Sequence, residues 1–371
     1  MSHAQSKHRP EWAPKDAGEA FASEVKAGIS NPGSFNPQAR RRRRGLGLAD
    51  YVAGIEAGDR AVLAQAITLV ESNAPAHLEQ AQAVLQALMP RTGQSVRVGI
   101  TGVPGVGKST FIEAFGRHLC ESGHQVAVLA VDPSSSVSGG SVLGDKTRME
   151  LLAREPKAFI RPSPSGGTLG GVTRKSRETL LLCEAAGYDV ILVETVGVGQ
   201  SEVAVRSMVD FFLLLMIAGA GDELQGLKKG IMELGDALFV NKSDGDNRQR
   251  AENTRGELAR VLHYLTPFTR GWKPKVLSGS ALNGGGIPEV WQLIEKFVAA
   301  TQASGVFAER RQRQSIDWLH ALIEDWLKSR FYSEERVRTT LPALEARIAA
   351  GELNPTAALG ELVQTFEAEN R

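Results

Sequence analysis

Cysteine is nearly missing from this chain: Cys120 and Cys183 are the two in 371 residues. Both fall in stretches read as helices, and neither has a partner at metal-ligand spacing. No thiolate metal site is encoded, and a reducing cytosol with both thiols as core fillers is the simple reading. Excess charge is missing too. The chain sets 43 Lys and Arg against 42 Asp and Glu, a net +1, so no charge of one sign argues for a nucleic acid or a membrane as partner. No apolar run is long enough to span a bilayer. The longest, Phe211 to Ala220, has the length of a buried strand. The first residues lack a signal-peptide core, and their Glu and Asp content argues against an organelle transit peptide. A cytoplasmic protein is expected.

An apolar share of 42% is ample for a sizeable core, and the length allows roughly two or three domains. One stretch organises the rest: GITGVPGVGKST, Gly99 to Thr110. It follows a short apolar run, Val96 to Ile100, and leads into a helical pattern that ends around Leu119. Gly102, Gly107, Lys108 and Ser109 fit the phosphate-loop spacing G-x-x-x-x-G-K-[ST]. Glycines let the backbone approach phosphate oxygens, and the N–H groups of the loop and the helix start point at the anion. Gly102, Val103, Pro104, Gly105, Val106, Gly107, Lys108, Ser109 and Thr110 would line the nucleotide. Lys108 would reach the β- and γ-phosphates, and the Ser109 hydroxyl would ligate Mg²⁺. A glycine-rich turn opening an ordinary helix is the plain alternative, opposed by the strand before and the helix after.

Around this loop the chain divides into four parts. Residues 1–45, polar and rich in Pro and Gly, read as a flexible tail. Its run Arg40 to Arg44 could bind an anion or a partner, or be a solvated basic linker. Residues 46–94 read as a helical segment. Asp59 can cap a helix carrying Ala61, Leu63, Ile67 and Val70, and a second helix follows Pro75 with Leu78, Ala81, Leu85 and Leu88, stopping at Pro90. From 95 to 300, short apolar runs alternate with helical stretches. The runs are Val96–Ile100, Val126–Val131, Phe159–Pro162, Val190–Glu194, Phe211–Ala218, Ala237–Asn241 and Lys275–Gly279. Several are continuous rather than alternating, as in strands buried on both faces. The expected fold is α/β: a mostly parallel sheet of about seven strands, helices on both faces, and helical segments at either end. Residues 301–371 read as charged amphipathic helices. Ile316, Leu319, Ile323 and Trp326 form a coiled-coil-like seam, and Val337, Leu341, Leu344 and Ile348 form another. Asn354 and Pro355 are a cap and first-turn pair before Leu359, Leu362, Val363 and Phe366. Three such helices bury little alone and must pack on the central domain or on a second copy, so a dimerisation arm is the favoured reading.

The phosphate loop leaves the base open; the tetrad Asn241-Lys242-Ser243-Asp244 names it. Asp244 would accept hydrogen bonds from the guanine N1–H and exocyclic amine. Adenine lacks that donor pair, and such a site discriminates by roughly 10⁴-fold. Lys242 would lie along the base plane and Asn241 would brace the loop. Ser280, Ala281 and Leu282 would complete the base pocket, with backbone N–H groups near the guanine O6, or be a plain strand-to-loop turn. Glu194 ends an apolar strand where nucleotide hydrolases hold Mg²⁺ or its water. Gly197 could donate its N–H to the γ-phosphate, and Val198 to Glu202 would be released on hydrolysis. Gln200 could orient the attacking water, although it stands three residues past Gly197; a solvated loop glutamine is the competing reading. Asp132 and Asp145 bracket a Ser/Gly-rich loop and could reach Mg²⁺ through water, or serve as cap and turn residues. Residues 219–230, glycine-rich and charged, could be a third mobile segment or a helix start.

Together, GVPGVGKST, VDPSSSVSGGSVLGDKTRM, VETVGVGQSE, GAGDELQGLKKGIME and NKSD resemble the G-protein chaperones of methylmalonyl-CoA mutase. Similar proteins have also been called arginine/ornithine transport kinases. The phosphate loop and NKSD are shared by many GTPases; VETVGVGQSE and GDELQGLKKG are narrower and carry the likeness, which covers roughly residues 46 to 371. It implies a phosphate-loop GTPase of the branch that holds metallochaperones and signal-recognition GTPases. It further implies a homodimer through the C-terminal helices that binds an adenosylcobalamin-dependent acyl-CoA mutase, with cobalamin adenosyltransferase as a further partner. GTP hydrolysis would gate cofactor loading and protection. By matching position, Lys108 and Ser109 hold phosphate and Mg²⁺. Asp132, Asp145 and Glu194 form the Mg²⁺ and hydrolysis centre, Arg148 lies in the first switch region, and Asp222, Gln225 and Lys228 lie in a third switch loop that relays partner contact. Adenosylcobalamin is assigned to the partner, since this chain has no D-x-H-x-x-G segment.

The reaction implied is GTP plus water to GDP and phosphate. No arginine is placed as a finger in cis, so slow intrinsic turnover raised by the partner is expected. Two other classes share the core. A nickel-insertion GTPase for hydrogenase or urease usually brings a His-rich tail or Cys/His ligands, whereas the seven histidines here are scattered. A small-molecule or protein kinase would need an acceptor pocket in place of the NKSD tetrad.

Overall fold

The computed structural model describes residues 46–131, 149–162, 169–195, 200–218 and 229–367. Asp132, Asp145, Arg148, Gly197, Asp222, Gln225 and Lys228 lie outside the described residues, as does the tail with Arg40 to Arg44.

Three helices open the described chain: α1 (Leu48–Glu56), α2 (Arg60–Glu71) and α3 (Pro75–Leu88). The Asp59 carboxylate accepts the Ala61 and Val62 N–H groups at 2.8 and 3.2 Å and starts α2. Pro75 occupies the first turn of α3, where its missing N–H costs nothing. That helix stops at Leu88, and a single 3₁₀ turn, Met89–Arg91, absorbs Pro90. Helix α1 has no apolar stripe long enough to be singled out beforehand. It holds through buried Tyr51 and Ile55.

The sheet has seven strands: β1 (Val96–Gly102), β2 (Val126–Val131), β3 (Ala158–Arg161), β4 (Val190–Thr195), β5 (Phe211–Ile217), β6 (Ala237–Asn241) and β7 (Lys275–Ser278). Every pairing is parallel, in the order β3-β2-β4-β1-β5-β6-β7. Leu213 and Leu215 face one core and Leu214 and Met216 the other, which is why β5 reads as unbroken apolar sequence. Strand limits move by one or two residues from the apolar runs. β1 continues to Gly102 because Thr101 and Gly102 still pair with Leu214 and Leu215. β3 stops at Arg161, before Pro162, which has no N–H to give the ladder.

Helices cover both faces. On one, α4 (Lys108–Glu121), α5 (Glu150–Arg154) and α10 (Ile287–Ala303) bury Phe111, Phe115, Leu152, Trp291 and Phe297 against β1 and β5. On the other, α9 (Arg248–Tyr264) packs Ala251, Leu258 and Leu262 on β6 and β7. Helix α6 (Leu169–Ala185) lies between β2 and the α2–α3 pair, and short α7 (Gln200–Arg206) and α8 (Lys229–Leu234) follow β4 and β5. Both cysteines are buried in helices, Cys120 in α4 and Cys183 in α6.

The chain ends in α11 (Val306–Ser333), α12 (Glu335–Ala349) and α13 (Pro355–Glu367). Val337 and Leu344 bury against Ala358 and Leu362, and the Asn354 carboxamide accepts the Ala357 N–H at 2.8 Å to start α13. Leu359 does not join that apolar face; it is exposed. The α11 seam is open as well, with Ile316, Leu319, Ile323 and Trp326 at 57, 56, 44 and 64% exposure.

Candidate functional site

Strand β1 delivers the chain to the turn before α4, at the C-terminal edge of the sheet. Gly102 has φ +153°, and a Cβ there would stand 2.5 Å from the Leu215 carbonyl oxygen. Gly107 has φ +92°, and its Cβ would meet Asn241 Nδ2 at 3.0 Å. Only glycine fits both places. Val106 is buried and anchors the loop in the core. No side chain caps α4 at Gly107, so its first N–H groups are available to an anion. Lys108 Nζ folds back on the loop and donates to the carbonyls of Gly102 (2.8 Å) and Val103 (3.4 Å). Burial lowers its pKa, opposed by the charges of Glu194 and Glu202.

Strand β4, beside β1, ends in Glu194 and Thr195. Glu194 is 4% exposed, and the Ser109 hydroxyl donates to its Oε1 at 3.4 Å. Behind them Thr195 and Thr101 share a buried hydroxyl hydrogen bond of 2.8 Å that ties β4 to β1. A hydroxyl and a carboxylate beside the start of α4 are hard oxygen donors. They fit Mg²⁺, which is commonly held by one or two protein ligands plus phosphate and water. Gln200 opens α7; its side chain lies outside what is described.

The base side is built on β6. Asn241 Nδ2 donates to the Val106 carbonyl at 2.8 Å, and its Oδ1 accepts the Ala281 N–H at 3.0 Å. One carboxamide thus fastens the phosphate loop to the Ser280–Leu282 loop. The Ala281 amide, expected beside the base, is engaged by Asn241. The Leu282 amide donates to Ser280 Oγ (3.3 Å), and the Leu282 side chain is 81% exposed. Lys242 carries the positive φ, +60°, found at no other non-glycine among the described residues. Its Nζ donates to the Gly105 carbonyl at 2.8 Å, stretching its stem across the phosphate loop. Asp244 is half-buried and caps no helix through its side chain. It lines an open cleft of about 780 Å³ with Ser243, Ser280, Asn283 and Glu252.

The sequence gives no role to Thr101 or Thr195, and places Glu202 only at the end of the segment released on hydrolysis, whereas it lies buried in α7. The two threonines meet across strands that lie 94 residues apart, a contact that no local pattern encodes. Glu202 lies within a stretch singled out as narrow, VETVGVGQSE, and its burial and its pull on Lys108 emerge only in three dimensions.

A model of the family "Methylmalonyl Co-A mutase-associated GTPase MeaB" matches residues 63–336. The chain belongs to this family. Curated relatives agree along most of its length. It is 53% identical over 325 residues to a probable GTPase of Mycobacterium tuberculosis, covering 88% of this chain and 96% of that protein. It is 46% identical over 327 residues to the mouse methylmalonic aciduria type A homolog, mitochondrial, covering 85% of this chain and 79% of the relative. Among solved structures, one titled LAO/AO transport system kinase superposes with a TM-score of 0.70 at 42% identity, covering 86% of this chain and 97% of that one. As a MeaB-family member this chain is a phosphate-loop GTPase with an all-parallel seven-stranded sheet. No helix among the described residues is long and apolar enough to cross a membrane.

Proposed function

We propose that this chain is a GTP-hydrolysing chaperone that gates the loading and protection of adenosylcobalamin in methylmalonyl-CoA mutase or a related acyl-CoA mutase. The observation that carries the reading is the MeaB-family match across residues 63–336. The phosphate loop, Glu194 and the Asn241–Asp244 tetrad support it by converging on one edge of the sheet.

In this reading Lys108 leaves the Gly102 and Val103 carbonyls for the β- and γ-phosphate oxygens, exchanging neutral acceptors for charged ones. Ser109 and Glu194 hold Mg²⁺, directly or through water, with Asp132 and Asp145 as the further acids of that centre. When bound, Mg²⁺ neutralises charge on the transferred phosphoryl group. The free N–H groups at the start of α4 and the N–H of Gly197 address the same oxygens. Gln200 is the candidate for orienting the attacking water. Asp244 reads the guanine edge, the Lys242 stem lies along the base, and Asn241 keeps the two loops together. Arg148 acts in the first switch, and Asp222, Gln225 and Lys228 relay the partner's contact.

Adenosylcobalamin stays with the mutase, and an adenosyltransferase is the natural donor. The working form is a cytoplasmic homodimer joined through α11–α13. Its test is GTP turnover with and without an adenosylcobalamin-dependent acyl-CoA mutase. Turnover is slow alone and rises at least about tenfold on complex formation, by analogy with partner-supplied stabilisation in other GTPases. No complex and unchanged turnover would remove the chaperone role and leave a GTPase.

A further inference from the structure

Five buried side-chain polar atoms have no hydrogen-bond partner among the described residues: Arg174 Nε, Arg177 Nε, Arg206 Nε, Gln314 Oε1 and Trp318 Nε1. All five belong to α6, α7 and α11, and α6 packs against both of the others. Protein interiors pair nearly all such atoms. Their concentration where three helices meet marks a joint whose polar groups are only partly satisfied, as expected of an element with a second arrangement open to it.

Helix α7 brings the nucleotide end of the molecule to that joint. Glu202, in its first turn, is buried and acts electrostatically on Lys108. Arg206 stands four residues on, along the same helix face. It donates to the Asp236 carboxylate at 3.1 Å, to Thr269 Oγ1 at 3.3 Å and to the Asp210 carbonyl at 3.3 Å. Seven residues of helix are about 10 Å of stiff rod, so a displacement at Gln200 arrives at Arg206.

The root of α11 is held by the same groups. Arg310 donates to the Asp210 carbonyl and to Thr269 Oγ1. Arg311 takes both Asp210 carboxylate oxygens, at 2.8 and 2.7 Å. Gln314 Nε2 donates to the Val209 carbonyl at 2.8 Å. Arg177 of α6 spans the two helices. One guanidinium nitrogen reaches the Gln314 carbonyl at 2.9 Å, and the other reaches the Ser207 carbonyl and hydroxyl, just past α7, at 2.8 and 2.7 Å. Burial draws Arg177 and Arg206 down to about 10, which leaves both charged at neutral pH. A change at the joint would work by moving its partners, because these guanidiniums do not discharge.

We propose that the α6–α7–α11 junction is a relay that sets the position of the α11 arm according to the nucleotide on the phosphate loop, with Arg177 as its coupling residue. The relay rests on guanine-nucleotide binding and does not depend on which protein the arm or the switch loops meet. Its output is the exposed seam of α11.

Both native cysteines are buried, so spin labels can be placed selectively at Ala259→Cys on α9 and Lys328→Cys on α11, both exposed positions. Electron–electron distances are measured on the full chain, diluted with unlabelled chain, with GDP and with a non-hydrolysable GTP analogue. The expected result is a shift between the two states on the order of 3–5 Å, the scale of helix shifts in switching proteins. In Arg177→Met the two distributions coincide, while a fluorescence titration still shows both nucleotides bound. Identical distributions in the unmutated chain, or an undiminished shift in Arg177→Met, would overturn the relay. If Arg177→Met does not fold, Gln314→Met removes the Val209 bond at similar volume and is read the same way. The titration separates a failed relay from failed nucleotide binding.

Discussion

Asp244 and Lys108 do different chemistry from similar starting points, both being single charges placed at the end of a strand–loop transition. Lys108 is pulled inward, with its ammonium on two loop carbonyls. Asp244 lines an open cleft and caps nothing through its side chain. A carboxylate so placed is available for a donor pair that guanine has and adenine lacks. Asp244→Asn presents a mixed donor and acceptor edge and should cut GTP-over-ATP preference by roughly 10³-fold or more in a competition binding assay. An unchanged preference would refute the base assignment. The positions of both were legible in the sequence because their motifs are local. The clasp made by Asn241 was half legible: its bracing role follows from the motif, whereas its bond to Ala281 depends on where a loop forty residues away returns. Cys120 gives a residue-scale test of the core. Burial, aided by the nearby Glu155 charge, raises its thiol from an ordinary 9.0 to about 11. The unfolded chain therefore releases this proton first, and stability falls with rising pH between those values. Relative to Cys120→Ala, the unmutated chain should lose part of its advantage from about pH 9 to about pH 11 in denaturant titrations. A gap constant across that range would contradict the assignment.

Among the elements, strands were more legible than helices. Each of the seven apolar runs became a strand, because burial on both faces writes itself into consecutive residues. Their ends were less so, since the ladder, and at β3 the missing N–H of Pro162, decides the last pair. Helix α1 was hidden within a broader helical reading because two buried residues, Tyr51 and Ile55, suffice to hold it. At α11 the periodic seam was legible, yet it covers nothing in the single chain: Ile316, Leu319, Ile323 and Trp326 are all exposed. An apolar stripe of this kind marks an interaction surface, and the proposed homodimer would bury it. Light scattering should give twice the chain mass for the unmutated protein, and Leu319→Glu with Ile323→Glu should yield monomer with unchanged thermal unfolding of the sheet region. A dimer that survives both changes would place the interface elsewhere.

At the scale of the molecule, the nucleotide edge and the arm root lie at opposite ends of the sheet. Glu194 and Asn241 lie at strand C-termini and the phosphate loop just past one, whereas Asp210 and Asp236, which hold Arg311 and Arg206, precede β5 and β6. A seven-residue strand separates the two ends by about 23 Å, and α7, packed on β4 and β1, covers about 10 Å of that distance. Strand order was not legible, because each pairing joins strands that no local pattern ties together, and neither was the Arg311–Asp210 pair at the arm root, whose residues lie about a hundred positions apart. In the proposed function, GTP hydrolysis gates cofactor transfer to a mutase. The most direct measurement follows adenosylcobalamin spectroscopically as it passes from an adenosyltransferase to the apo-mutase in the presence of this chain. Loading should proceed with GTP and stall with a non-hydrolysable analogue or with Lys108→Ala. Equal loading under all three conditions would contradict it.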